Sequence, residues 1–199
     1  MAVTALVMFT LLIAMVMGVR VLIQVRRTGD TGVRGKTRTQ SPLQRLGESL
    51  GAIGLLALGV VSPVTALAGL GPVVDSTPVA LVGVVLAGVG IVATFAAQLA
   101  MGNSWRVGVD PDERTALITS GPFRFVRNPV TTTALLTCAG LILMVPGVVG
   151  VVGFVALVTA NQLVIRLVEE PYLRRIHGSD YLHYAARVGR LVPGLGRLS

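Results

Sequence analysis

The chain has 199 residues, 53% of them hydrophobic and only 13% charged, with a mean hydropathy of +0.78. That composition excludes an ordinary soluble domain and points to an integral membrane protein. The net charge of +8 does not make it a nucleic-acid binder. Every Lys and Arg falls within 20–45, 106–127 or 166–197, the blocky pattern of polar loops on one side of a bilayer.

Residues 3–25 form the first apolar run, long enough to span and lacking the basic start and cleavage site of a secretory signal. A basic loop, 26–40, follows. Ser41, Pro42 and Gln44 then form a helix-start signal. The second span runs over 43–70 with a kink expected at Pro63, and 71–78 is a turn containing Asp75. The third span is 79–101. Gly47, Gly51, Gly83, Gly88 and Gly90 are candidates for close helix packing.

The stretch 102–128 is the longest polar segment. Its residues 110–113 read as a turn, 115–119 as a short extended piece, and Trp105 as an interfacial anchor. Two further spans, 129–145 and 148–168, are joined at Val145-Pro146-Gly147 into an apolar hairpin. The first is short for a full crossing. Cys138 reads as a small core residue, and Asn161 and Gln162 as interhelical hydrogen-bonding groups. The tail from 171 interleaves Tyr172, Tyr181 and Tyr184 with arginines, as in an interfacial helix or a lid. His177 and His183 lack ligand partners, and no metal is expected.

Five crossings with Met1 outside bring all three basic blocks to the cytoplasm. The expected fold is thus all-α, with five transmembrane helices, the last two a hairpin, and a loop and carboxy-terminal segment at the cytoplasmic face. Residues 1–101 carry the first three helices and 102–199 the functional core, in the cell inner (plasma) membrane.

Two polar clusters bracket the hairpin. The first is Gly121-Pro122-Phe123-Arg124-Phe125-Val126-Arg127-Asn128-Pro129, and the second is Arg166-Leu167-Val168-Glu169-Glu170. Asn128 and Pro129 form a helix start whose positive end, with Arg124 and Arg127, suits an anion. Arg166, Glu169 and Glu170 have i, i+3, i+4 spacing, which favours a shared face and ion pairs. If the hairpin crosses and returns, both clusters meet. Groups of both signs there suit a zwitterionic ligand.

These clusters, with Gly178-x-x-Tyr181-x-x-Tyr184, Arg190-x-x-Pro193 and the segment Met101-Gly102-Asn103-Ser104-Trp105-Arg106-Val107-Gly108-Val109-Asp110, resemble the isoprenylcysteine carboxyl methyltransferase family. That family is related to membrane phospholipid methyltransferases. The resemblance covers roughly 98–193 and implies S-adenosylmethionine as methyl donor. It implies a donor site of Arg127, Asn128, Pro129, Thr131, Glu169 and Glu170, lined by Arg124 and by residues Leu117 to Gly121. Arg166 and Arg190 match positions expected to orient the acceptor. The chain has Asn128 where the family often has His, and Thr131-Thr132-Thr133 where it has Tyr-x-Gly.

A carboxylate acceptor is already ionised and needs only an orienting arginine, so O-methyl transfer is the leading expectation. N-methyl transfer would need Glu169 or Glu170 as base. The acceptor is small or lipophilic and enters from the bilayer, while the donor comes from water. The alternatives are a steroid-type membrane reductase using NADPH and a non-catalytic membrane partner protein.

Overall fold

A computed structural model describes residues 1–33, 42–70, 76–108 and 114–198. The expected cap at Ser41, the acidic Asp75 and the turn at 110–113 lie outside the described residues. Six helical segments account for most of the rest: α1 (Ala2–Thr28), α2 (Pro42–Leu67), α3 (Thr77–Ala100), α4 (Pro129–Met144), α5 (Val148–Val164) and α6 (Glu170–Arg187).

Segments α1, α2, α3 and the α5 rod are long and apolar enough to cross a bilayer. At 16 residues, α4 is about 24 Å long and falls short of the hydrocarbon thickness, as its sequence implied. Helix α1 ends on Gly29, which takes a left-handed conformation (φ 74°) that a side chain would resist.

Pro63 does not break α2. The helix widens into a π turn over Ala57–Val61 just before it, because the proline ring removes a donor and crowds the preceding carbonyls. A second such turn, Ile165–Glu169, joins α5 to α6 in one continuous rod.

The bundle is organised as two close pairs. Helix α3 packs on α4, and α2 packs on α5. Glycines set both crossings. A Cβ on Gly83 would stand 2.6 Å from the Gly140 carbonyl, and one on Gly54 would stand 2.6 Å from the Gly153 carbonyl. Gly90 abuts Thr137, while Gly47 and Gly51 face Val164 and Ala160, so the small residues permit backbone contact as expected. Gly88 is the exception: nothing lies within 4 Å of a Cβ there. The hairpin helices α4 and α5 share a tight turn but pack chiefly on other partners. Helix α1 fits against this arrangement with Ala5 and Phe9, closing a core with Leu58, Ala87, Cys138 and Leu141.

The four long apolar segments and the shorter α4 leave the bundle with two unlike ends. At one, Met1, Leu67, Thr77 and Pro146 meet. The other gathers the end of α1, residues 102–108 and 114–128, and the chain over 169–198.

Trp105 is not a surface anchor. It is 1% exposed, with the Arg20 guanidinium 4.6 Å from its ring centroid. Arg20 and Gln24, both fully buried one turn apart on α1, donate to the Gly102 and Asn103 carbonyls at 2.6 and 3.0 Å. A buried cation in a spanning helix needs such partners, and these tie the loop after α3 to α1. The second half of the tail folds back onto the protein, as the lid alternative implied. Gly178 (φ 51°, ψ −125°) breaks α6, and the turned second half buries Tyr181 and Tyr184 against Leu117, Leu173 and Val188.

Candidate active site

The two polar clusters meet. Arg127, brought in by the 3-10 turn Gly121–Arg124 and the start of α4, places Nη2 2.6 Å from Glu170 Oε1 at the start of α6. Both groups are buried. Arg190 closes the other side of the carboxylate, with Nε 2.8 Å from Oε1 and Nη2 3.0 Å from Oε2. That hydrogen-bonded carboxylate holds the Arg190 guanidinium above its ordinary pKa, against the opposing effect of burial.

Arg127 does more than pair with Glu170. Its Nη1 donates to the Ala185 and Val188 carbonyls and its Nη2 to Gly196, while the Arg127 amide bonds Gly189. The Tyr184 hydroxyl donates to the Phe123 carbonyl at 2.6 Å. Residues 184–198 therefore form a strap across the start of α4.

The strap corrects the sequence expectation for Asn128. Pro129 does occupy the first turn of α4, but Asn128 makes no side-chain cap. Its amide N–H and Nδ2 both donate to the Arg190 carbonyl, so a chain segment 62 residues away takes the place of the anion expected there.

Two cavities adjoin this strap. One, of about 200 Å³, lies at the polar end between residues 115–118, Glu169, Glu170, Tyr172 and Tyr181. The second, of about 410 Å³, extends into the bundle among α1, α4 and α5, with Leu12, Cys138 and Leu157 deep within it. Cys138 lies nine residues along α4 from Pro129, which corresponds to a depth of about 13 Å. Met101, Arg106, Phe123, Arg127, Asn128 and Glu169 line both cavities. The two spaces therefore share a wall, and Glu169 stands in it.

The expected site residues divide accordingly. Leu117, Arg127, Asn128, Glu169 and Glu170 reach the polar cavity. Pro129 and Thr131 instead line the membrane cavity. Gly121 is exposed, and so is Arg124, which stacks on Phe125 with 4.5 Å to the ring centroid; neither lines a cavity. Arg190 is committed to Glu170.

Arg166 is exposed and donates from Nε to Gln162 Oε1, so the ion pairs predicted from its spacing do not form among the described residues. The π turn is the reason: its wider winding shifts the face on which Glu169 and Glu170 emerge relative to Arg166. Asn161 and Gln162 also depart from expectation. Asn161 Nδ2 donates within its own helix, to the Leu157 carbonyl, and Gln162 serves Arg166.

Sequence reasoning missed Arg106 and Tyr172 as lining groups, together with Gln98 and Trp105 in the membrane cavity. The fully buried Arg20 and Gln24, one turn apart on α1, were the available signal that the loop after α3 folds inward.

The architecture is that of a helical membrane protein with a polar cavity beside a second cavity that extends into the bundle. Residues 79–180, just over half of the chain, match the model of the phospholipid methyltransferase family, and the chain belongs to that family. The fold is similar to that of the eukaryotic intramembrane Ras methyltransferase ICMT (isoprenylcysteine carboxyl methyltransferase), in a structure solved without a monobody. The TM-score is 0.51 at 13% identity, over 92% of this chain and 75% of that one. No curated protein matches the sequence. The chain is thus a membrane methyltransferase, and neither the reductase nor the non-catalytic alternative is favoured.

Proposed function

We propose that the chain transfers a methyl group from S-adenosylmethionine, held in the polar cavity, to the amine of a lipophilic acceptor held in the membrane cavity. The observation that carries this reading is Glu169. It lines both cavities and makes no ion pair among the described residues, whereas Glu170, one residue on, is bound by two arginines.

The polar cavity suits the donor in three respects. Arg127 Nε is buried without a partner on its wall, a fitting donor for a carboxylate. Residues 115–118 make no backbone hydrogen bond among the described residues, which leaves main-chain groups for a nucleobase edge. Tyr172 and Leu117 offer apolar faces. When bound, S-adenosylmethionine supplies an electrophilic methyl carbon on a sulfonium.

Charge placement favours nitrogen over carboxylate oxygen as the acceptor atom. The two arginines expected to orient a carboxylate, Arg166 and Arg190, are respectively outside the cavities and tied to Glu170. An ammonium group entering from the membrane cavity meets the Glu169 carboxylate instead. Glu169 accepts its proton and exposes the nitrogen lone pair, a step worth about 10²- to 10⁴-fold in rate. The strap and the apolar walls exclude water, and the shared wall orients the acceptor.

The positive-inside distribution supports a cytoplasmic charged end and polar cavity with Met1 outside, in our reading in the plasma membrane. Residues 102–199 act as the methyltransferase core on the scaffold of the first three helices.

The test is purified protein in lipid nanodiscs with total membrane lipid and methyl-labelled S-adenosylmethionine. Label is expected in an organic-phase amine, and Glu169→Gln is expected to abolish most of it. Absence of labelled lipid, or equal labelling by the variant, contradicts the reading.

A further inference from the structure

The membrane cavity is not uniformly apolar. Three helices each contribute one uncharged polar side chain to it: Gln98 from α3, Thr131 from α4 and Asn161 from α5. Holding the bundle together accounts for one long hydrogen bond from Gln98 to α1 and leaves the other polar atoms of these three side chains without an interhelical partner among the described residues. Gln98 is 2% exposed, and its Nε2 reaches only the Val16 carbonyl at 3.3 Å while Oε1 has no partner. Asn161 directs Nδ2 to Leu157 at 2.8 Å, leaving Oδ1 as an acceptor. Thr133 and Thr137 return their hydroxyls to main-chain carbonyls within α4 and Thr132 donates to the Asn128 and Leu191 carbonyls, whereas Thr131 makes no such bond among the described residues. Inside a bilayer, an unsatisfied polar group is costly, so groups left open towards a cavity point to a ligand that completes them.

Each amide spends one N–H on a protein carbonyl, and its own carbonyl oxygen accepts no hydrogen bond among the described residues. The complementary ligand therefore carries hydrogen-bond donors of its own. We infer that the acceptor is a long-chain amine bearing at least one hydroxyl or amide N–H near its head, recognised by Asn161, Thr131 and Gln98. A lipid whose backbone holds only ester oxygens lacks those donors and leaves the amide oxygens unpaired. This inference rests on the reading that the membrane cavity receives the acceptor.

The single tryptophan, Trp105, lines the same cavity and reports its occupancy by fluorescence. The experiment titrates full-length protein in detergent with sphinganine, an amino diol, and with octadecylamine, which has the same carbon number and no hydroxyl. Wild type is expected to bind sphinganine roughly tenfold more tightly, the effect of about one hydrogen bond. In the Thr131→Val, Asn161→Leu double variant the gap is expected to narrow below about twofold, chiefly by weaker sphinganine binding. Equal affinities in wild type, a gap that survives in the double variant, or no Trp105 response to either amine overturns the inference. The wild-type comparison decides even if the double variant does not fold. Calorimetric titration of the same wild-type preparation with S-adenosylmethionine separates the two levels. Donor uptake without lipid discrimination sinks this inference alone, whereas no donor uptake sinks the proposed function.

Discussion

The carboxylate that anchors the strap over α4, Glu170, and the one in the wall between the two cavities, Glu169, are one peptide bond apart, and they are held on opposite principles. Beneath the strap, Glu170 is buried and saturated by Arg127 and Arg190. In the wall, Glu169 faces two open spaces without an ion pair among the described residues. A saturated carboxylate holds chain segments together, while an unpaired one beside a cavity is available for a proton. In the proposed reading the two adjacent glutamates divide structure from chemistry, and the π turn Ile165–Glu169, which ends on the first of them, sets the faces on which they emerge.

The largest effect expected from breaking this division comes from Glu170→Ala. Removing one partner leaves two guanidinium groups beside an uncompensated site, at a cost of about 3–5 kcal/mol. Reversible unfolding in mixed micelles is expected to show that loss, with residues 184–198 becoming protease-sensitive. Glu169→Gln is expected to do the reverse. Its unfolding midpoint stays near wild type, while methyl transfer to an amine falls by about 100-fold or more in single-turnover assays.

The helix crossings come next. Gly140→Val forces a side chain against the α3 backbone, where a Cβ alone would already sit 2.5 Å from the Ala87 nitrogen. A loss of about 1–3 kcal/mol is expected by the same unfolding assay. Gly88→Val, with open space around it, should be silent. The smallest effect belongs to Arg166→Ala, expected within about 0.5 kcal/mol and without change in methyl transfer. A large loss there would revive the carboxylate acceptor that the sequence first suggested.

Much of this organisation was legible in the sequence, for identifiable reasons. The four long spans and the shorter α4 follow from apolar runs at or just under bilayer length. The meeting of Arg127 with Glu170 follows from a hairpin that returns both clusters to one face.

Other features depend on contacts that no local pattern encodes. Asn128 carries a good capping signal, but the Arg190 carbonyl captures its donors from 62 positions away. The spacing of Arg166, Glu169 and Glu170 predicts a shared face only on a regular α-helix, and the π turn Ile165–Glu169 removes that regularity. Trp105 has the composition of an interfacial anchor, and it is buried because Arg20 on α1 needs a partner inside the bilayer. Thr131, grouped with the donor residues by its place in a motif, lines the membrane cavity beside Pro129, and the motif does not encode that placement.

The location of the donor is tested most directly by ultraviolet cross-linking of labelled S-adenosylmethionine to the protein, followed by peptide mapping. Adducts are expected within 115–118 or at Tyr172, Tyr181 or Tyr184, and an excess of unlabelled donor should suppress them. Adducts confined to the exposed face around Gly121 and Arg124, or specific labelling at the opposite end near Met1 and Pro146, would contradict the account.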